Sequence, residues 1–413
     1  MKARHQVLAI LFIIWLISYV DRMVMATAIP YIAKEFNLSP VVMGAVMSAF
    51  FAGYATCQLP GGFLADHFGA RKVMTAAILW WSAFTALTGA ASSLAAMLWI
   101  RVAFGIGEGV FPAASFKSLA NWFPLKERGT ATGLMMASNP LGAALAPLVV
   151  AFILATWNWR TAFFALTVPG VLMALAIWCL LPDRPADKKG ITPQELAEIQ
   201  GDAGTAATDT VPKIGFWEVV KVPAVYKSFF MLLFFNTSAW GFVSWLPTYL
   251  VNVRHFEVLK MGITASLPFL VGTVGFALGG WLNDKFRHNR RLPVITCQLS
   301  CCVFLYLMYT AESSSLLILY QTLAGGFLYT AGGVIFSLPM SSISSSITGR
   351  AMGFINTAGQ AAGFFSPMII GYLVQISGGS FNTAFGFLIG TMLTSSLIAS
   401  TFRPAKTQAA INA

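Results

Sequence analysis

A short loop signature that occurs twice decides the fold of this chain. Residues 62–72 read Gly-Phe-Leu-Ala-Asp-His-Phe-Gly-Ala-Arg-Lys and close one apolar segment. Residues 280–285 read Gly-Trp-Leu-Asn-Asp-Lys and close another. The aspartates at positions 66 and 284 are therefore offset by 218 residues. A repeated signature at such a distance indicates that the chain consists of two related halves.

A second pair of landmarks repeats at nearly the same offset. Gly133 is followed by Pro147 in the first half, and Gly353 is followed by Pro367 in the second, at an offset of 220. Two independent matches at almost one offset predict two bundles related by an axis along the membrane normal. In such proteins the ligand site is expected between the bundles near the middle of the membrane.

The composition requires a membrane protein. Of 413 residues 57% are hydrophobic and only 10% are charged, with a mean hydropathy of +0.72, whereas a soluble domain carries about 25% charged residues. Each apolar stretch approaches the roughly 20 helical residues that cross a bilayer, and the absence of period-two alternation excludes a β-barrel. We therefore predict an all-α membrane protein with twelve transmembrane helices in two six-helix bundles. The twelve stretches lie near residues 7–33, 41–65, 73–92, 94–116, 129–155, 160–182, 227–252, 261–283, 292–311, 314–340, 350–377 and 382–402.

These stretches divide the chain into three parts. We predict an N-terminal bundle over 1–182, a cytoplasmic linker over 183–226 and a C-terminal bundle over 227–413. Within the linker, Thr192-Pro193-Gln194-Glu195 offers a capping residue, a proline in the first turn and a glutamate three residues after the cap, which predicts one short helix. The alternative is a linker that is disordered throughout, as the loose run 201–205 would be.

The net charge of +11 is explained by membrane topology. With the N-terminus inside, 20 lysines and arginines fall in inner loops and tails and four in outer loops, while Arg22 and Arg101 lie within helices. This positive-inside asymmetry predicts cytoplasmic termini in a multi-pass protein of the cell inner (plasma) membrane. Nucleic-acid binding is not needed to explain the basic composition.

The signature resembles the loop motif of the major facilitator superfamily, with His67 and Ala70 as departures. The chain is also similar to the anion:cation symporter branch, which contains bacterial sugar-acid permeases and vesicular glutamate transporters. This likeness spans nearly the whole chain and implies the major facilitator fold, secondary transport and function as a monomer. It rests on Tyr19-Val20-Asp21-Arg22, Arg101 with Glu108, Trp122-Phe123-Pro124 with Glu127-Arg128, and Trp245-Leu246-Pro247-Thr248-Tyr249-Leu250.

Four ionisable residues lie deep within the predicted spans, namely Asp21, Arg22, Arg101 and Glu108. Each would cost about 2.5–3.5 kcal/mol at a helix centre, so they are expected to pair, to line a wet cavity, or both. Arg101 and Glu108 are seven residues apart, two turns along one helix face. We predict a mutually neutralising cluster of the first and fourth helices. The alternative is an ion-pair network that only fixes helix packing, although buried pairs stabilise poorly.

The resemblance implies roles for three of these residues. Asp21 and Glu108 match the family's proton-coupling acids, and Arg22 matches the arginine that meets the substrate anion. A guanidinium suits that task because it stays charged and binds a carboxylate through two parallel hydrogen bonds.

Further candidates rest on position alone. Tyr19 and Tyr54 could donate hydroxyls beside Arg22, and each further polar residue could equally be an interhelical hydrogen bond. Asp66 and Arg71 are predicted to form a gate at the cytoplasmic mouth, the alternative being a purely topological charge. The remaining substrate-binding candidates are Arg101, Asn139, Asn236, Asn356 and Gln360.

We therefore predict a proton-coupled symporter that imports a small organic anion by alternating access. A sugar acid is favoured, and an aromatic or less hydroxylated carboxylate stays open. No ATPase-type phosphate loop occurs, and the histidines lie at span ends or in loops, so we expect no cofactor, metal site or enzymatic activity. One alternative is an anion exchanger, such as one trading phosphate esters for phosphate. That chemistry usually needs a second arginine from the other bundle, and the seventh span, 227–252, has no basic residue beyond its end at Lys227. Drug efflux does not fit the charged cluster. A non-transporting receptor or scaffold is the remaining alternative.

Overall fold

The structure is a computed structural model that describes residues 2–188, 190–200, 215–343 and 347–402. Within these ranges the chain forms sixteen α-helices. Their bounds are α1 Ala3–Phe36, α2 Pro40–Phe68, α3 Ala70–Ala90, α4 Leu94–Trp122, α5 Leu125–Met136, α6 Ser138–Thr156, α7 Trp159–Leu180, α8 Pro193–Gln200, α9 Phe216–Lys221, α10 Pro223–Asn252, α11 Val258–Lys285, α12 Arg291–Thr310, α13 Ser314–Ile335, α14 Ser337–Ser342, α15 Thr348–Ile376 and α16 Asn382–Ser400.

The helices confirm the all-α membrane class. Eleven segments of the described chain are long and apolar enough to cross a membrane, two of them being the consecutive pairs α5–α6 and α13–α14. The twelfth predicted span corresponds to α15, which has 29 residues but is less apolar than the other eleven segments. Polar residues such as Asn356 and Gln360, together with its glycines, lower the hydropathy of α15.

Two predicted spans are broken where proline removes a helical hydrogen bond. Proline has no N–H group, so it leaves the carbonyl four residues earlier without its helical donor. Pro140 lies four residues after Met136, the last residue of α5, and Pro339 lies four residues after Ile335, the last residue of α13. Both breaks thus coincide with a lost hydrogen bond, although other prolines, such as Pro112 in α4, lie inside continuous helices.

Contacts between Cα atoms divide the chain into two compact units. The first contains α1, residues 49–68 of α2 and helices α3–α8, and the second contains residues 37–48 and helices α9–α16. In the first unit α3 packs on α4 and α7, and α1 packs on α6. In the second unit α11 packs on α13, and α10 packs on α15 and α16.

The predicted linker helix is present as α8. Thr192 Oγ1 accepts a hydrogen bond of 3.2 Å from the Glu195 N–H, as an N-terminal cap should. The Glu195 carboxylate, however, accepts from the backbone N–H groups of Ala3 and Arg4, at 3.0 and 2.9 Å. It thereby satisfies donors at the start of α1 that the helix itself leaves unpaired. The run 201–205 lies outside the described residues.

Ion pairs reinforce this attachment of α8 to the start of α1. The Arg4 side chain is buried and its Nη2 lies 3.1 Å from Glu198 and 3.4 Å from Glu127 on α5. Lys2 Nζ lies 2.8 Å from the same Glu198 carboxylate. The hydrogen bond from Lys2 and the charge of Arg4 hold the pKa of Glu198 below its usual range. The contribution to stability is thus present above the ordinary pKa of glutamate and is lost as the pH falls through the lowered value.

The turn between α2 and α3 requires glycine. Gly69 has φ 88° and ψ 150°, a conformation that residues with a side chain rarely adopt. Two residues later, the Arg71 N–H donates to Asp183 Oδ1 at 2.8 Å. A Cβ on Gly69 would lie 2.6 Å from Asp183 Oδ2. The open side of the glycine is therefore what allows Asp183 to cap α3.

We expect Gly69→Ala to lower the free energy of unfolding by about 1–3 kcal/mol, the usual cost of an unfavourable backbone conformation. Displacement of Asp183 would add to that loss. Thermal unfolding of the purified protein in detergent measures the effect. Gly62→Ala is the matched control, because its Cβ would meet only the Ala113 Cβ at 4.0 Å. Equal melting temperatures for the two variants would contradict this account of the turn.

Candidate functional site

The structure buries all four predicted intramembrane charges within the first unit. Asp21 and Arg22 on α1 are 1% and 8% exposed, and Arg101 and Glu108 on α4 are 2% and 1% exposed. On α4 the two residues belong to one buried face, because a spacing of seven is close to two helical turns. The charges therefore face protein rather than lipid.

Arg22 and Glu108 form a close ion pair. Arg22 Nη2 and Nε donate to Glu108 Oε2 at 2.7 and 3.1 Å. The hydroxyl of Ser18 donates to the other carboxylate oxygen at 3.2 Å. Ser18 precedes Arg22 by one helical turn, so both reach the same carboxylate from one face of α1. Glu108 thus fixes Arg22 in one orientation.

Three aromatic rings surround the Arg22 guanidinium. Its central carbon lies 4.8 Å from the ring centroid of Tyr19, 4.9 Å from that of Phe50 and 4.7 Å from that of Tyr54. Contacts of this kind hold a cation in place without neutralising its charge. The two tyrosines that the sequence placed beside Arg22 do lie there, and they meet it with their ring faces.

One N–H edge of Arg22 stays open. Among the described residues, Nη1 has no hydrogen-bond acceptor. The protein also does not enclose this nitrogen completely. The guanidinium therefore presents Nη1 to whatever enters the space beside it. An anion with two oxygens is the ligand that such an edge binds best.

Asp21 differs from Glu108, because no described residue forms an ion pair with it. Both of its carboxyl oxygens are enclosed and accept no hydrogen bond from the described part of the chain. The Trp81 indole N–H lies near enough to act as a weak hydrogen-bond donor to Asp21, but its geometry falls short of a full hydrogen bond. Arg101 stacks instead on Phe104 and Phe50, at 4.7 and 5.5 Å. The expected neutralisation is therefore partial, with one close pair and one enclosed carboxyl.

Asn139 lies at the start of α6, in the same unit. Its Nδ2 contacts Met136 Sδ at 3.7 Å, and Ser138 donates to its Oδ1 at 3.4 Å. It is half-buried. Among the described contacts, none joins Asn139 to the four buried charges.

The two predicted gate residues have separate partners. Asp66 accepts a hydrogen bond of 2.7 Å from Lys117 on α4, and Lys117 also donates to Ala65 O at 2.9 Å. The Arg71 guanidinium lies 4.5 Å from the Trp178 ring centroid. Asp66 thus connects the end of α2 to α4, while Arg71 connects the start of α3 to α7.

The three amides predicted in the second unit lie on two packed helices. Asn236 Nδ2 on α10 donates to Leu232 O at 2.8 Å and would lie 3.7 Å from a Cβ on Gly359 of α15. Gly359 is flanked in that part of α15 by Asn356, which is exposed, and Gln360, which is half-buried. The three amides therefore share one region of the second unit.

Comparison with known proteins identifies the family. The sequence model described as Major Facilitator Superfamily matches residues 11–367. The chain belongs to the major facilitator superfamily. That family consists of membrane transporters rather than enzymes.

Curated relatives of this transporter come from bacteria. It is 33% identical to the probable sulfoacetate transporter SauU of Cupriavidus necator, over 97% of this chain and 94% of that protein. It is 30% identical to the probable galactarate/D-glucarate transporter GarP of Escherichia coli K12, covering 93% and 91%. It is also 30% identical to the D-galactonate transporter of Escherichia coli O6:H1, covering 91% and 90%.

Solved structures agree on the fold. A bacterial homolog of the human lysosomal transporter Spinster matches with a TM-score of 0.76 at 20% identity, covering 96% of this chain and 95% of that one. The xylose transporter XylE from Escherichia coli matches with a TM-score of 0.78 at 16% identity, covering 97% and 96%. At these identities the likeness concerns the fold alone.

Four residues at these sites were not predicted from the sequence of the transporter. Ser18 carries a weak signal, since it lies one turn from Arg22 on the same face. Phe50 lies four residues before Tyr54 and completes the aromatic surround. Lys117 and Trp81 carry no local signal, because the residues they meet lie on other helices.

Proposed function

We propose that this transporter is a symporter that imports a small organic anion together with protons. One observation carries the proposal. Arg22 is held by Glu108 and three aromatic rings but keeps Nη1 open. It is adjacent in sequence to Asp21, whose enclosed carboxyl accepts no full hydrogen bond from the described residues. An anion site and a proton site are thus provided by neighbouring residues.

The substrate class follows from Arg22 and from the relatives. Sulfoacetate, galactarate, D-glucarate and D-galactonate, the compounds in the relatives' names, all carry a carboxylate. A carboxylate fits a guanidinium edge better than a neutral group does. We assign Asn236, Asn356 and Gln360 to the hydroxyl groups of a sugar acid, and Arg101 and Asn139 to secondary contacts.

Coupling follows from competition for Arg22. A bound carboxylate would take over part of the interaction that Arg22 makes with Glu108, which leaves Glu108 with a weaker counter-ion. An ionised carboxyl that loses its partner in a dry site is costly. Protonation of Glu108 offsets that cost, and protonation of Asp21 removes a negative charge that would repel an anion at the neighbouring Arg22, so anion and proton binding favour each other. By linkage, each ligand then strengthens the other to the same degree.

The remaining roles belong to the same proposal. Asp66 and Arg71 act as a gate by exchanging partners at the end of α2 and the start of α3. The transporter resides in the cell inner membrane with both termini in the cytoplasm.

A single cysteine at position 197, in α8, should then react with an impermeant reagent only from the cytoplasmic side. Reaction only from outside would contradict the proposed orientation in the membrane.

Ligand screening by thermal unfolding tests the anion assignment. The expected result is stabilisation by one or more of sulfoacetate, galactarate and D-galactonate, and none by the matching amides. A ligand at 100 times its dissociation constant stabilises by about 2.7 kcal/mol. Stabilisation by inorganic phosphate alone would favour the exchanger instead. Equal stabilisation by an acid and its amide would contradict an organic-anion transporter.

A further inference from the structure

A groove outside the charged site opens on the surface of the first unit. Helices α2 and α3 are joined at the Gly69 turn and lie to either side of α4. Between them is a cavity of about 420 Å³. Its walls include Leu64 and Phe68 from α2, and Lys72, Ala76 and Trp80 from α3, while Gly107 of α4 lies at its floor. None of the four buried charges lines it.

The groove is preformed and faces outward. Leu64, Phe68 and Trp80 are 39%, 54% and 46% exposed. Because α2, α3 and α4 are long and apolar enough to span a membrane, the groove opens on a membrane-spanning surface of the first unit. Trp80 is fixed as a wall, because its Nε1 donates to Ala103 O at 2.7 Å. A Cβ on Gly107 would lie 2.6 Å from Trp80 Cδ1. The small residues at positions 76 and 107 therefore leave the space open.

Its chemistry is apolar with one cation at the end. Lys72 is the charged residue in the lining, and it is exposed in the first turn of α3. Within the described chain it has no hydrogen bond or ion pair. The two acidic side chains that contact this turn region are already engaged, Asp66 by Lys117 and Asp183 by the Arg71 N–H. Lys72 is thus a cation without an ion-pair partner among the described residues.

We propose that this groove binds one anionic phospholipid, with an acyl chain between α2 and α3 and the phosphate on Lys72. An apolar groove exposed to the bilayer takes up a hydrocarbon chain, since about 0.8 kcal/mol is gained per buried CH₂ group. A basic residue where a helix meets the membrane surface attracts anionic headgroups. The Arg71 side chain is stacked on Trp178, so Lys72 is the cation left for the headgroup.

Native mass spectrometry of the purified, delipidated transporter tests the headgroup contact. The probes are dioleoyl-phosphatidylglycerol and dioleoyl-phosphatidylcholine. We expect the wild type to bind phosphatidylglycerol more tightly than phosphatidylcholine. Lys72→Gln should weaken phosphatidylglycerol binding about fivefold and leave the affinity for phosphatidylcholine unchanged. Lys126→Gln, an exposed lysine at the start of α5, should behave as the wild type. Unchanged phosphatidylglycerol binding in Lys72→Gln would overturn the proposal.

A second pair of variants tests the groove itself. Ala76→Trp places a large ring in the groove from an exposed position and should reduce retention of both lipids. Ala83→Trp is the control, because it is exposed on the same helix and outside the groove. Equal lipid retention by the two tryptophan variants would place the lipid elsewhere and overturn the proposal. Should Lys72→Gln fold poorly in thermal unfolding, Lys72→Met supplies the same charge removal with a similar side-chain length.

Discussion

Asp21→Asn is expected to abolish accumulation of the anion against its gradient while leaving exchange of labelled for unlabelled substrate. The amide has the shape of the protonated acid but cannot release a proton. In proteoliposomes with a pH gradient, the accumulation ratio should fall to about one, and counterflow should persist. The substitution suits the test because Asp21 has no hydrogen bond to lose among the described residues, so the fold should tolerate an amide.

Glu35→Gln is the control for that result, and Glu108→Gln is a second test of it. Glu35→Gln, on the same helix, removes a carboxylate that bonds Arg160 and Trp159 and should retain uphill accumulation. Glu108→Gln should also lose accumulation, but it deprives Arg22 of its counter-ion. Removing one partner of a buried pair costs about 3–5 kcal/mol, so its melting temperature must accompany the transport data. Normal accumulation in both Asp21→Asn and Glu108→Gln would refute the proton-carrier role.

Arg22→Lys is expected to weaken anion binding about 10- to 100-fold. Lysine keeps the positive charge but loses the planar guanidinium, which can bind a carboxylate through two parallel hydrogen bonds. Hydrogen bonds to charged groups contribute roughly 1.5–3 kcal/mol each, which corresponds to that range. Titration calorimetry with the anion selected by thermal screening measures the change.

Arg160→Lys is the matched control for that loss. Arg160 also bonds a carboxylate, that of Glu35 at 2.7 Å, and also stacks on an aromatic ring, that of Trp159 at 4.2 Å. The same substitution there should reduce stability without reducing affinity. Normal binding by Arg22→Lys, together with competition by a neutral amide or ester analogue, would show that the substrate is not an anion. The family would stand, and the substrate would belong among neutral solutes.

The buried charges could be predicted because the membrane makes them expensive. A charge in the middle of an apolar span has no water to solvate it, so it is kept only where it has a function or a partner. Asp21, Arg22, Arg101 and Glu108 could therefore be recognised from the sequence as a group. Their pairing could not. Whether Arg101 meets Asp21 on α1 or stacks on Phe104 of its own helix depends on side-chain conformation and helix packing, which hydropathy does not encode.

Long-range caps were equally hidden. The motif at Thr192–Glu195 predicted α8, and Thr192 does cap it. The Glu195 carboxylate nevertheless reaches the start of α1, about 190 residues away in sequence. Local rules describe which donors a helix end leaves open, but tertiary packing selects the acceptor. The helix breaks at Met136 and Ile335 lie four residues before a proline, but proline alone does not predict them, since Pro112 and Pro367 lie inside helices that continue.

The most direct test of the central claim measures both fluxes at once. A labelled anion chosen by the thermal screen is added to proteoliposomes that contain the purified transporter. A pH-sensitive dye trapped inside reports the pH of the lumen. With an inwardly directed proton gradient, we expect uphill anion accumulation, acidification of the lumen that depends on the anion, and loss of accumulation on adding a protonophore. Anion entry with no anion-dependent proton movement, or accumulation that survives the protonophore, would contradict proton-coupled symport.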